Sequence, residues 1–356
     1  MDELLTNHGP LSLPAFFPDA TCGVVRSVDS EDVRQTGTKG LVVNTYHLFR
    51  HGLDKTVKEF GGIHRFMNWN GVLISDSGGF QVMSLIRDNP KAGIIRDKEI
   101  IFRVEGEKII LTPEKSIQVQ LRLGTDIVMC LDDCTRPQEP FSEQEKSVRR
   151  TIDWAKRCKD EFVKLTKHAS SPPLIFAIIQ GGNDKNLRRE CAEALLKIGF
   201  DGYAYGGWPL DEEKNLMTEI IQLTADLIPN KFPKYAMGVG KPENVVACYK
   251  MGYNLFDCVI PTRDARHRRL YIFKTDPEKT DFAGLFYDAL YINDRDCARK
   301  SEPISEFCDC YTCKNYSRGY VHLLFKANDT LFFRLATIHN LRFYARMMEE
   351  LRQEKI

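Results

Sequence analysis

The sequence predicts a (β/α)8 barrel, in which parallel strands alternate with helices around one closed sheet. Short β-branched runs alternate with longer amphipathic segments over about 250 residues, which is the arrangement and the length that this fold requires. Seven apolar runs are short enough to be strands buried on both faces of a parallel sheet: residues 41–44, 72–76, 127–132, 174–180, 202–206, 235–238 and 255–260. Helical patterns lie between them at 143–165, 186–198 and 213–227.

A doubly wound open sheet is the alternative fold, and the residues at which these runs end discriminate between the two. Most runs finish in, or just before, a residue that is useful to a ligand: Asn44, Asp76, Asp132, Gln180, Gly206 with Gly207, Gly238 and Asp257. In a barrel the carboxyl ends of all strands converge on one face, so these groups would surround a single pocket. An open sheet would spread them along a line, and we therefore prefer the barrel.

Composition limits what this pocket can belong to. A chain of 356 residues that is 43% hydrophobic and 28% charged can bury one large core or two smaller ones. Its net charge is +1, so contact with a nucleic acid has to come from a local basic patch. The 11 cysteines stand mostly alone in apolar surroundings, as is typical of free thiols in a reducing cytoplasm. The start lacks a signal-peptide pattern and no apolar stretch approaches about 20 residues, so we expect a cytoplasmic protein without a membrane segment.

Two pieces interrupt the alternation of strands and helices. Residues 99–111 predict a β-hairpin with a Glu-Gly-Glu-Lys turn, inserted as a flap before a helix that Thr112 caps and Pro113 opens. The other piece lies near the end of the chain and carries a cysteine-rich motif. We expect a barrel over residues 1–280, a second subdomain over 281–340 and a C-terminal helix over 341–356 that packs back on the barrel.

The cysteine-rich motif predicts a structural zinc site. Cys308, Cys310 and Cys313 place three thiols within six residues, and His339 follows after a helical stretch. Three thiolates and one imidazole make a closed tetrahedral site, which leaves no position for water and is therefore structural. Free buried thiols are the alternative, and His322 is a nearer rival to His339 as the fourth ligand.

Two carboxylates are the candidate catalytic groups. Asp257 interrupts an apolar run, and Asp76 ends a strand beside Ser77 and two glycines, where backbone amides can approach a substrate closely. In one barrel mouth such a pair suits glycosyl chemistry: one carboxylate attacks the anomeric carbon and forms a covalent glycosyl-enzyme, while the other carries the proton of the leaving group. The alternatives are an Asp76 satisfied by its own turn and an Asp257 that is only a hydrogen-bonded strand residue.

A basic strip follows Asp257 after a turn at Pro261. Its side chains are Arg263, Arg266, His267, Arg268 and Arg269. Arginine supplies planar, permanently charged donors that fit phosphate oxygens, so the strip predicts contact with a nucleic-acid backbone while Asp257 faces a group within it. A solvated basic loop is the alternative, because runs of charge are usually only surface.

On these residues and several further blocks, the chain resembles the tRNA-guanine transglycosylases, the queuine tRNA-ribosyltransferase family of bacterial type, along nearly its whole length. The matching motifs are, in chain order, NTYHL at residues 44–48, MNWNG at 67–71, SDSGGFQ at 75–81, TPEKS at 112–116, QGG at 180–182, MGVG at 237–240, FDCVIPTR at 256–263, CDCYTCKNYS at 308–317 and RLATIHNLRF at 334–343.

The resemblance implies a reaction and a role for each catalytic candidate. The family exchanges guanine at the wobble position of tRNAs with a G-U-N anticodon for a 7-deazaguanine base, on a (β/α)8 barrel with a zinc subdomain and commonly as a homodimer. By the match, Asp257 would be the nucleophile and Asp76 the general acid/base. The family's counterpart of His339 is a zinc ligand. Because one glycosidic bond replaces another, the reaction needs no cofactor or ATP.

The resemblance also implies which residues hold the base. Asp132 would read the N–H edge of the purine with its two acceptor oxygens. Gln180 and the amide of Gly207 would hold the carbonyl edge. Phe80 and Met237 would sandwich the ring.

Departures from the family pattern bear on the substrate. Where bacterial members usually carry Gly-Gly-Leu-Ala-Val-Gly-Glu, in the loop that reads the 7-position of the base, this chain has Gly-Gly-Trp-Pro-Leu-Asp-Glu at residues 206–212. Pro209 has no N–H, so its peptide bond with Trp208 offers only a carbonyl, which favours a cationic aminomethyl arm over bare guanine. Trp208 reshapes the pocket. Glu212 is either an acidic switch that matches this arm or part of an acidic helix start. Asp264, where the family usually has Asn, places a negative charge in the basic strip.

These observations favour a catalytic tRNA transglycosylase that uses 7-aminomethyl-7-deazaguanine, with queuine as the alternative base. A relative that inserts deazaguanines into DNA is a second hypothesis, although the match through the Pro-Thr-Arg and zinc motifs favours tRNA. A third is a non-catalytic partner subunit that binds only RNA or its catalytic mate. The presence of both Asp76 and Asp257 argues against the third.

Overall fold

The computed structural model describes residues 1–50, 52–104 and 107–354. The strands are β1 (Glu3–Thr6), β2 (Gly9–Ser12), β3 (Ala15–Pro18), β4 (Gly40–Val43), β5 (Val72–Ser75), β6 (Gly93–Ile95), β7 (Ile100–Val104), β8 (Glu107–Leu111), β9 (Ile127–Met129), β10 (Leu174–Ile179), β11 (Gly202–Tyr205), β12 (Lys234–Ala236), β13 (Leu255–Cys258), β14 (Arg269–Phe273) and β15 (Tyr287–Tyr291). The helices are α1 (Ser30–Gln35), α2 (Thr45–Arg50), α3 (Leu53–Glu59), α4 (Ile63–Met67), α5 (Gly79–Asp88), α6 (Pro113–Leu123), α7 (Phe141–Thr166), α8 (Lys185–Ile198), α9 (Thr218–Leu227), α10 (Pro242–Lys250), α11 (Ile260–Arg266), α12 (Tyr311–Asn315), α13 (Arg318–Lys326) and α14 (Thr330–Gln353).

Eight parallel strands form the central sheet, in the order β3, β13, β12, β11, β10, β9, β5, β4. In chain order β3 is the first barrel strand and β13 is the last. The two pair in parallel, with Phe17 opposite Asp257. At the other edge a parallel bridge joins Asp19 to Val42 of β4 and closes the sheet. This arrangement confirms the predicted (β/α)8 barrel, with helices packed on its outer face.

The eighth barrel strand, β3, is not among the seven that the sequence predicted. Its four residues lie between Pro14 and a terminal Pro18. Proline has no N–H for a strand ladder and disfavours a central strand, so the local pattern of this run does not predict one. Both prolines stand at the ends of β3, where the lost donor is tolerated, and Asp19 follows at its carboxyl end.

The predicted helices agree with the structure except at one start. The helices predicted over 143–165 and 186–198 appear as α7 and α8. The helix predicted over 213–227 begins only at Thr218, because the residues before it form a tight loop. In that loop the Asp211 carboxylate accepts from the Asn215 N–H at 2.8 Å, and Leu210 bridges Leu216.

The barrel interior is filled by every second residue of its strands, as the period of a strand requires. One core cluster contains the interior side chains of β3, β4, β5, β9, β10, β11, β12 and β13, among them Phe17, Ile74, Met129, Phe176, Tyr235 and Leu255. The N-terminal hairpin of β1 and β2 contributes Leu4 and Leu11 to the same cluster. It therefore plugs the amino end of the barrel and leaves the carboxyl end as the open mouth.

The predicted flap is a three-stranded antiparallel sheet of β6, β7 and β8, in which β6 was not predicted. Residues 105 and 106 of the predicted turn lie outside the described residues. The helix after the flap starts as expected, because the Thr112 hydroxyl accepts from the Lys115 N–H at 3.1 Å and Pro113 is the first helical residue.

The C-terminal region is tied to the barrel by one long helix. α14 runs without a break through residue 340, where the subdomain was expected to end. Its Asn340 amide donates to the Pro261 and Arg269 carbonyls at 3.1 and 3.0 Å, and the Tyr344 hydroxyl donates to the Gly240 carbonyl at 2.6 Å. Residues 355 and 356 lie outside the described part of the chain. Among the described helices, none combines the length and the apolar character needed to cross a membrane.

Candidate active site

The side chains that end the barrel strands converge on the mouth. Because strand side chains alternate between the faces of a sheet, a residue two positions beyond an interior residue also faces inward. Residues that follow interior core positions in this way are Asp19, Asn44, Asp76, Gln180, Met237 and Asp257. The closed sheet therefore turns these strand-end side chains toward one mouth.

Asp257 lies in β13, with one carboxylate oxygen held by two donors. Its Oδ1 accepts from the Tyr235 hydroxyl at 2.7 Å and from the Gly238 N–H at 2.9 Å. Gly238 has φ of 71°, a left-handed conformation that favours glycine and turns this N–H toward the carboxylate. Within the described residues, Oδ2 has no protein donor, so it is the oxygen available to a substrate. Burial raises the pKa of Asp257, while the two hydrogen bonds oppose that rise.

Asp76 is held more tightly, at the carboxyl end of β5. Its Oδ1 accepts from the N–H groups of Thr45 and Gly78 at 2.9 and 3.0 Å. Its Oδ2 accepts from the side-chain amides of Asn44 and Gln81 at 2.5 and 3.3 Å. The bond to Gly78 is the local turn that the sequence suggested as the alternative, but donors from Thr45, Asn44 and Gln81 orient the carboxylate as well.

The pKa of Asp76 is raised from 3.8 to about 7. Burial is the largest cause; the hydrogen bonds from Thr45 and Gly78 lower the pKa, and the charges of Asp257 and Asp19 raise it further. A carboxyl group with a pKa near neutrality can both give and take a proton at physiological pH. Asp76 therefore has the property of a general acid/base, and Asp257 lies close enough to affect its charge.

Asp132 and Gln180 form a buried polar pair. The Gln180 Nε2 donates to the Asp132 Oδ2 at 2.6 Å. Burial raises the pKa of Asp132 to about 7, the Gln180 amide opposes this, and the charge of Asp133 adds to it. Gly206 has to be glycine, since an added Cβ would lie 2.5 Å from the Gln180 Nε2, and a Cβ on Gly207 would lie 3.6 Å from its Oε1. The structure thus brings together Asp132, Gln180 and Gly207, three of the predicted base-binding residues.

An exposed aromatic pair lies near these groups. Phe80 is 43% exposed and Trp208 is 41% exposed, and their rings are 5.8 Å apart at 57°. Met237 packs against the interior core cluster and is half-buried, while Ser77 is buried and its hydroxyl accepts from the Gly79 N–H at 3.2 Å. The Phe80 and Trp208 rings offer open faces to a ligand.

The loop after Gly207 differs from the expectation in two respects. The Trp208 carbonyl, which we expected to face the base, accepts from the Tyr205 hydroxyl at 3.2 Å and so has one lone pair in use. Glu212 does not belong to a helix start, because α9 begins at Thr218; its carboxylate is exposed and accepts from the Gln138 amide at 2.9 Å.

The first two arginines of the basic strip, Arg263 and Arg266, lie in a helix and not in the solvated loop that was the alternative interpretation. Residues 260–266 form α11, His267 ends it, Arg268 has φ of 73°, and Arg269 opens β14. The reason is that Pro261 stands at the first turn of a helix, where its fixed φ is favourable.

Asp264 divides the strip as its sequence position suggested. Its carboxylate lies 3.7 Å from the Arg263 Nε and 3.5 Å from the Arg269 Nη1, and it accepts from the Tyr271 hydroxyl at 2.6 Å. Arg268 lies over the ring of Phe325, 5.7 Å from its centre. Arg263 remains half-exposed, so it retains access to a phosphate.

Arg26 and Asp19 are two residues of the mouth that sequence reasoning missed. Burial lowers the pKa of Arg266, the positive charges of Arg26 and Arg263 lower it further, and Asp19 opposes them, which places these four groups near one another. Arg26 stands alone in an exposed loop and gives no sequence signal. Asp19 could have been found only by recognising β3.

The predicted zinc ligands form one cluster. The Sγ atoms of Cys308, Cys310 and Cys313 and a ring nitrogen of His339 all lie within 4.8 Å of one another. The His339 Nδ1 is 3.3 and 3.9 Å from the Sγ atoms of Cys313 and Cys310, and its Nε2 is 2.7 Å from the Tyr271 carbonyl. A hydrogen bond from Nε2 to that carbonyl leaves the Nδ1 lone pair for a metal, as is usual for metal-binding histidines.

The rival histidine is not part of this cluster. The His322 Nδ1 is 2.7 Å from the Ile292 carbonyl, and His322 is absent from the group of metal-ligating side chains among the described residues. Three cysteines and one histidine therefore fit a closed tetrahedral zinc site.

Comparisons with known proteins identify the family of this chain. The model of the family described as queuine tRNA-ribosyltransferase matches residues 1–354. A queuine tRNA-ribosyltransferase of Shewanella sediminis is 42% identical over 352 residues, which cover 98% of this chain and 88% of that relative. Those of Haemophilus ducreyi and Thermoanaerobacter sp. are 41% and 39% identical, over 96% and 98% of this chain and 84% and 88% of the relatives. The chain belongs to the queuine tRNA-ribosyltransferase family and is, by that membership, a glycosyltransferase.

Proposed function

We propose that the protein is a tRNA-guanine transglycosylase of queuosine modification, which exchanges guanine at the wobble position of tRNAs with a G-U-N anticodon for a 7-deazaguanine base through a covalent enzyme–RNA intermediate. The observation that carries the proposal is the pair of carboxylates in the barrel mouth. Asp257 keeps one oxygen open, and Asp76 has a pKa of about 7.

In the first step the free oxygen of Asp257 bonds to C1′ of the ribose as the bond from C1′ to guanine N9 breaks. The electron pair of that bond leaves with guanine, which takes a proton from Asp76. In the second step the incoming base gives its proton to the Asp76 carboxylate, its nitrogen bonds to C1′, and Asp257 is released. Because bond formation replaces bond breaking at the same carbon, no external energy source enters the reaction.

The hydrogen bonds around the two carboxylates suit these different roles. Tyr235 and Gly238 stabilise the negative charge on Asp257 and orient its open oxygen. Asn44 and Gln81 hold one Asp76 oxygen and backbone donors hold the other, so the carboxyl group is fixed in direction as it gains and loses its proton.

We further propose that the buried pair of Asp132 and Gln180 receives the purine. An ionised Asp132 offers acceptors to the N–H groups of guanine, and the Gln180 amide and the Gly207 N–H can donate to its carbonyl oxygen. The hydrogen bond of 2.6 Å between the two side chains would open to admit the base. Phe80 and Met237 would then stack on its two faces.

The physiological base is proposed to be 7-aminomethyl-7-deazaguanine. The half-exposed rings of Phe80 and Trp208 can attract the ammonium of the aminomethyl arm through their π-faces. The remaining lone pair of the Trp208 carbonyl and the exposed Glu212 carboxylate are further acceptors for this cation. Competition binding of guanine against this base tests the proposal, and equal affinity would contradict it; tighter binding of queuine would identify queuine as the base instead.

We propose that tRNA phosphates contact the basic cluster of Arg26, Arg263 and Arg266 at the mouth, together with His267, Arg268 and Arg269 beside it. Arg26 and Arg263 are exposed, and both lie close enough to Arg266 for their charges to affect it. Because Asp264 offsets part of the charge of Arg263 and Arg269, the grip on RNA should rest on a small number of phosphates.

Zinc is proposed as the ion held by Cys308, Cys310, Cys313 and His339, where it would fix the geometry of the C-terminal region and take no part in catalysis. The His339 Nε2 contact to the Tyr271 carbonyl and the Asn340 contacts to Pro261 and Arg269 connect this region with α11 at the mouth. Elemental analysis of the purified protein should find one zinc per chain. The proposed division at residues 280 and 340 is tested by limited proteolysis.

A homodimer in the cytoplasm is the proposed working form. Tyr311, Tyr316 and Tyr320 form a partly exposed aromatic row with ring centres 5.9 and 5.3 Å apart, and Leu323 beside them is 58% exposed. Such a surface on the zinc-binding region suits a protein contact. Sedimentation of the protein and of Tyr320→Ala would test it, because the variant should shift toward monomer.

Exchange of labelled guanine into tRNA tests the function itself. Incorporation into position 34 of G-U-N tRNAs, and not into tRNAs with other anticodons, is the expected result. Incorporation into a DNA duplex alone would favour the DNA-modifying hypothesis. Tight binding of tRNA with no exchange would favour a non-catalytic partner subunit.

A further inference from the structure

A third carboxylate stands in the mouth beside the two of the proposed reaction. Asp19 follows β3, the strand that lies between β13 and β4. β13 contains Asp257, and β4 is followed by Asn44, whose side-chain amide donates to Asp76. Asp19 therefore lies between the proposed nucleophile and the support of the proposed acid.

The register of the sheet places Asp19 one layer outward from Asp257. Phe17 lies opposite Asp257, and Asp19 is two residues further along the same strand, on the same face of the sheet. With strands about 4.8 Å apart and a rise of about 3.3 Å per residue, the Cα atoms of the two aspartates are roughly 8 Å apart. Asp19 is half-buried, so the layer above the nucleophile is reachable from the mouth.

The position of Asp19 is fixed by short contacts. Its carboxylate accepts from the Thr21 hydroxyl, and the Thr21 carbonyl accepts from the Asn44 N–H at 3.2 Å. The same Asn44 donates to Asp76. The charge of Asp19 raises the pKa of both Asp76 and Asp257, after the larger effect of burial, which agrees with a location above the pair.

The ligand expected at this height is the ribose that is attacked. When C1′ of that ribose lies at the open oxygen of Asp257, the 2′-hydroxyl is one carbon away and needs an acceptor. Asp76 already accepts four hydrogen bonds. Asp19 has a carboxylate at the correct level, and hydrogen bonds to the hydroxyl next to the anomeric carbon strengthen in glycosyl transfer.

We propose that Asp19 accepts a hydrogen bond from the 2′-hydroxyl of the attacked ribose and thereby makes the enzyme prefer RNA to DNA. This inference rests on the proposed transglycosylase function and adds a specificity-determining residue to it. A deoxyribose offers no donor and would leave the Asp19 carboxylate beside the substrate without a partner from the sugar.

The competing role for Asp19 is to position Arg266, whose charge it faces. Loss of that role would weaken the binding of any phosphate backbone and would affect RNA and DNA alike. A comparison of two substrates that differ only in the 2′-hydroxyl therefore separates the two roles.

The test measures guanine exchange on two anticodon stem-loop hairpins, one with guanosine and one with 2′-deoxyguanosine at the wobble position, for the unmodified protein, Asp19→Ala and Asp19→Asn. Because a hydrogen bond to a charged acceptor is lost, the unmodified protein should prefer the ribose hairpin in kcat/KM by about tenfold to a hundredfold. Asp19→Ala should lower exchange on the ribose hairpin and bring the preference near one. Asp19→Asn, which keeps an acceptor oxygen, should fall between.

Asp264→Asn is the matched control, because it also removes a carboxylate near the arginines. It should change exchange on both hairpins by the same factor. An Asp19→Ala protein that keeps the full preference, or that loses activity equally on both hairpins across pH 6 to 8, would overturn the inference while the proposed function stands. No exchange by the unmodified protein on the ribose hairpin would overturn the proposed function and the inference with it.

Discussion

Buried aspartates at the two ends of the barrel have pKa values shifted in opposite directions. At the amino end, the Oδ1 of Asp126 accepts from the His8 N–H and ring at 3.1 and 2.8 Å, and its Oδ2 accepts from the Leu73 N–H at 2.8 Å and lies 3.2 Å from the His64 Nε2. Burial acts to raise the pKa of Asp126, but these partners lower it below its usual value overall. The rings of His8 and His64 stack with centres 3.4 Å apart and join the hairpin plug to the barrel.

At the carboxyl end, Asp76, Asp132 and Asp257 accept hydrogen bonds from neutral donors, and burial raises the pKa of each. The charge of Asp257 raises the pKa of Asp76 further. The residue type and the sheet are the same at both ends, so the difference lies in the partners. Imidazoles at the amino end make a carboxylate that stabilises the fold. Neutral amides and a second carboxylate at the mouth make groups that are costly to ionise and suited to proton transfer.

Removal of the proposed nucleophile should show the largest effect. Asp257→Asn should lower guanine exchange by about 10⁴-fold or more, because it removes the carboxylate whose open oxygen is proposed to form the bond to C1′. The variant should not lower the melting temperature, since it removes a carboxylate whose pKa is raised by burial. Exchange assays and thermal unfolding measure the activity and the melting temperature. Near-normal exchange by the variant would contradict the catalytic role proposed for the carboxyl end of the barrel.

Removal of the amino-end carboxylate should have the opposite profile. Asp126→Asn should lower the free energy of unfolding by about 3 kcal/mol, since the fully buried side chain loses the charge that strengthens its hydrogen bonds with His8 and Leu73 and its contact with the His64 Nε2. Exchange at 20 °C should be unchanged. Denaturant unfolding measures the loss, with Asp132→Asn as the control at the mouth, which should not destabilise the fold at pH 8. Equal destabilisation by both variants would contradict the account.

The two ends should also respond oppositely to pH. Asp76 has a folded-state pKa of about 7 against an ordinary 3.8, so the unfolded chain releases this proton first as the pH rises. Its contribution to stability is therefore favourable below about pH 4 and is lost as the pH rises to 7. Asp126, with a lowered pKa, contributes above its unfolded value and loses that contribution in acid.

Thermal unfolding from pH 4 to 8 measures this contrast. The melting temperature of Asp76→Asn relative to the unmodified protein should rise between pH 4 and 7 and then stay level. A difference that is constant over this range would mean that Asp76 ionises normally in the folded protein.

The smallest expected effect concerns the exposed arginines of the mouth. Arg263→Ala should raise the KM for tRNA by about threefold to tenfold and reduce the salt slope of binding by about one, with kcat nearly unchanged, because it removes one phosphate contact. Arg65→Ala, an exposed arginine of α4 beside the amino-end cluster, is the control and should leave tRNA binding unchanged. Equal effects from both would mean that RNA contacts are not confined to the mouth.

The sequence revealed the parts of the molecule that depend on local pattern. Buried strands, the cap at Thr112 and the cysteine spacing are local, and each was predicted. The strand at Ala15–Pro18 was not predicted, and neither was the place of Asp19 after it; prolines beside so short an apolar run disfavour a central strand. Asp19 and Arg26 reach the mouth only because β3 pairs with β13, and a local sequence pattern does not predict such long-range pairing. The helix that carries Arg263 and Arg266 was not predicted, because a proline just after a strand is as typical of a turn as of a first helical turn.

The central claim is that Asp257 forms a covalent bond to the ribose of tRNA. The most direct test incubates the zinc-loaded protein with a G-U-N tRNA, with or without 9-deazaguanine, and looks for a protein–RNA adduct that survives denaturation. The account predicts an adduct with the unmodified protein and none with Asp257→Ala. No adduct under conditions where the protein binds the tRNA, or an adduct that persists in Asp257→Ala, would contradict it.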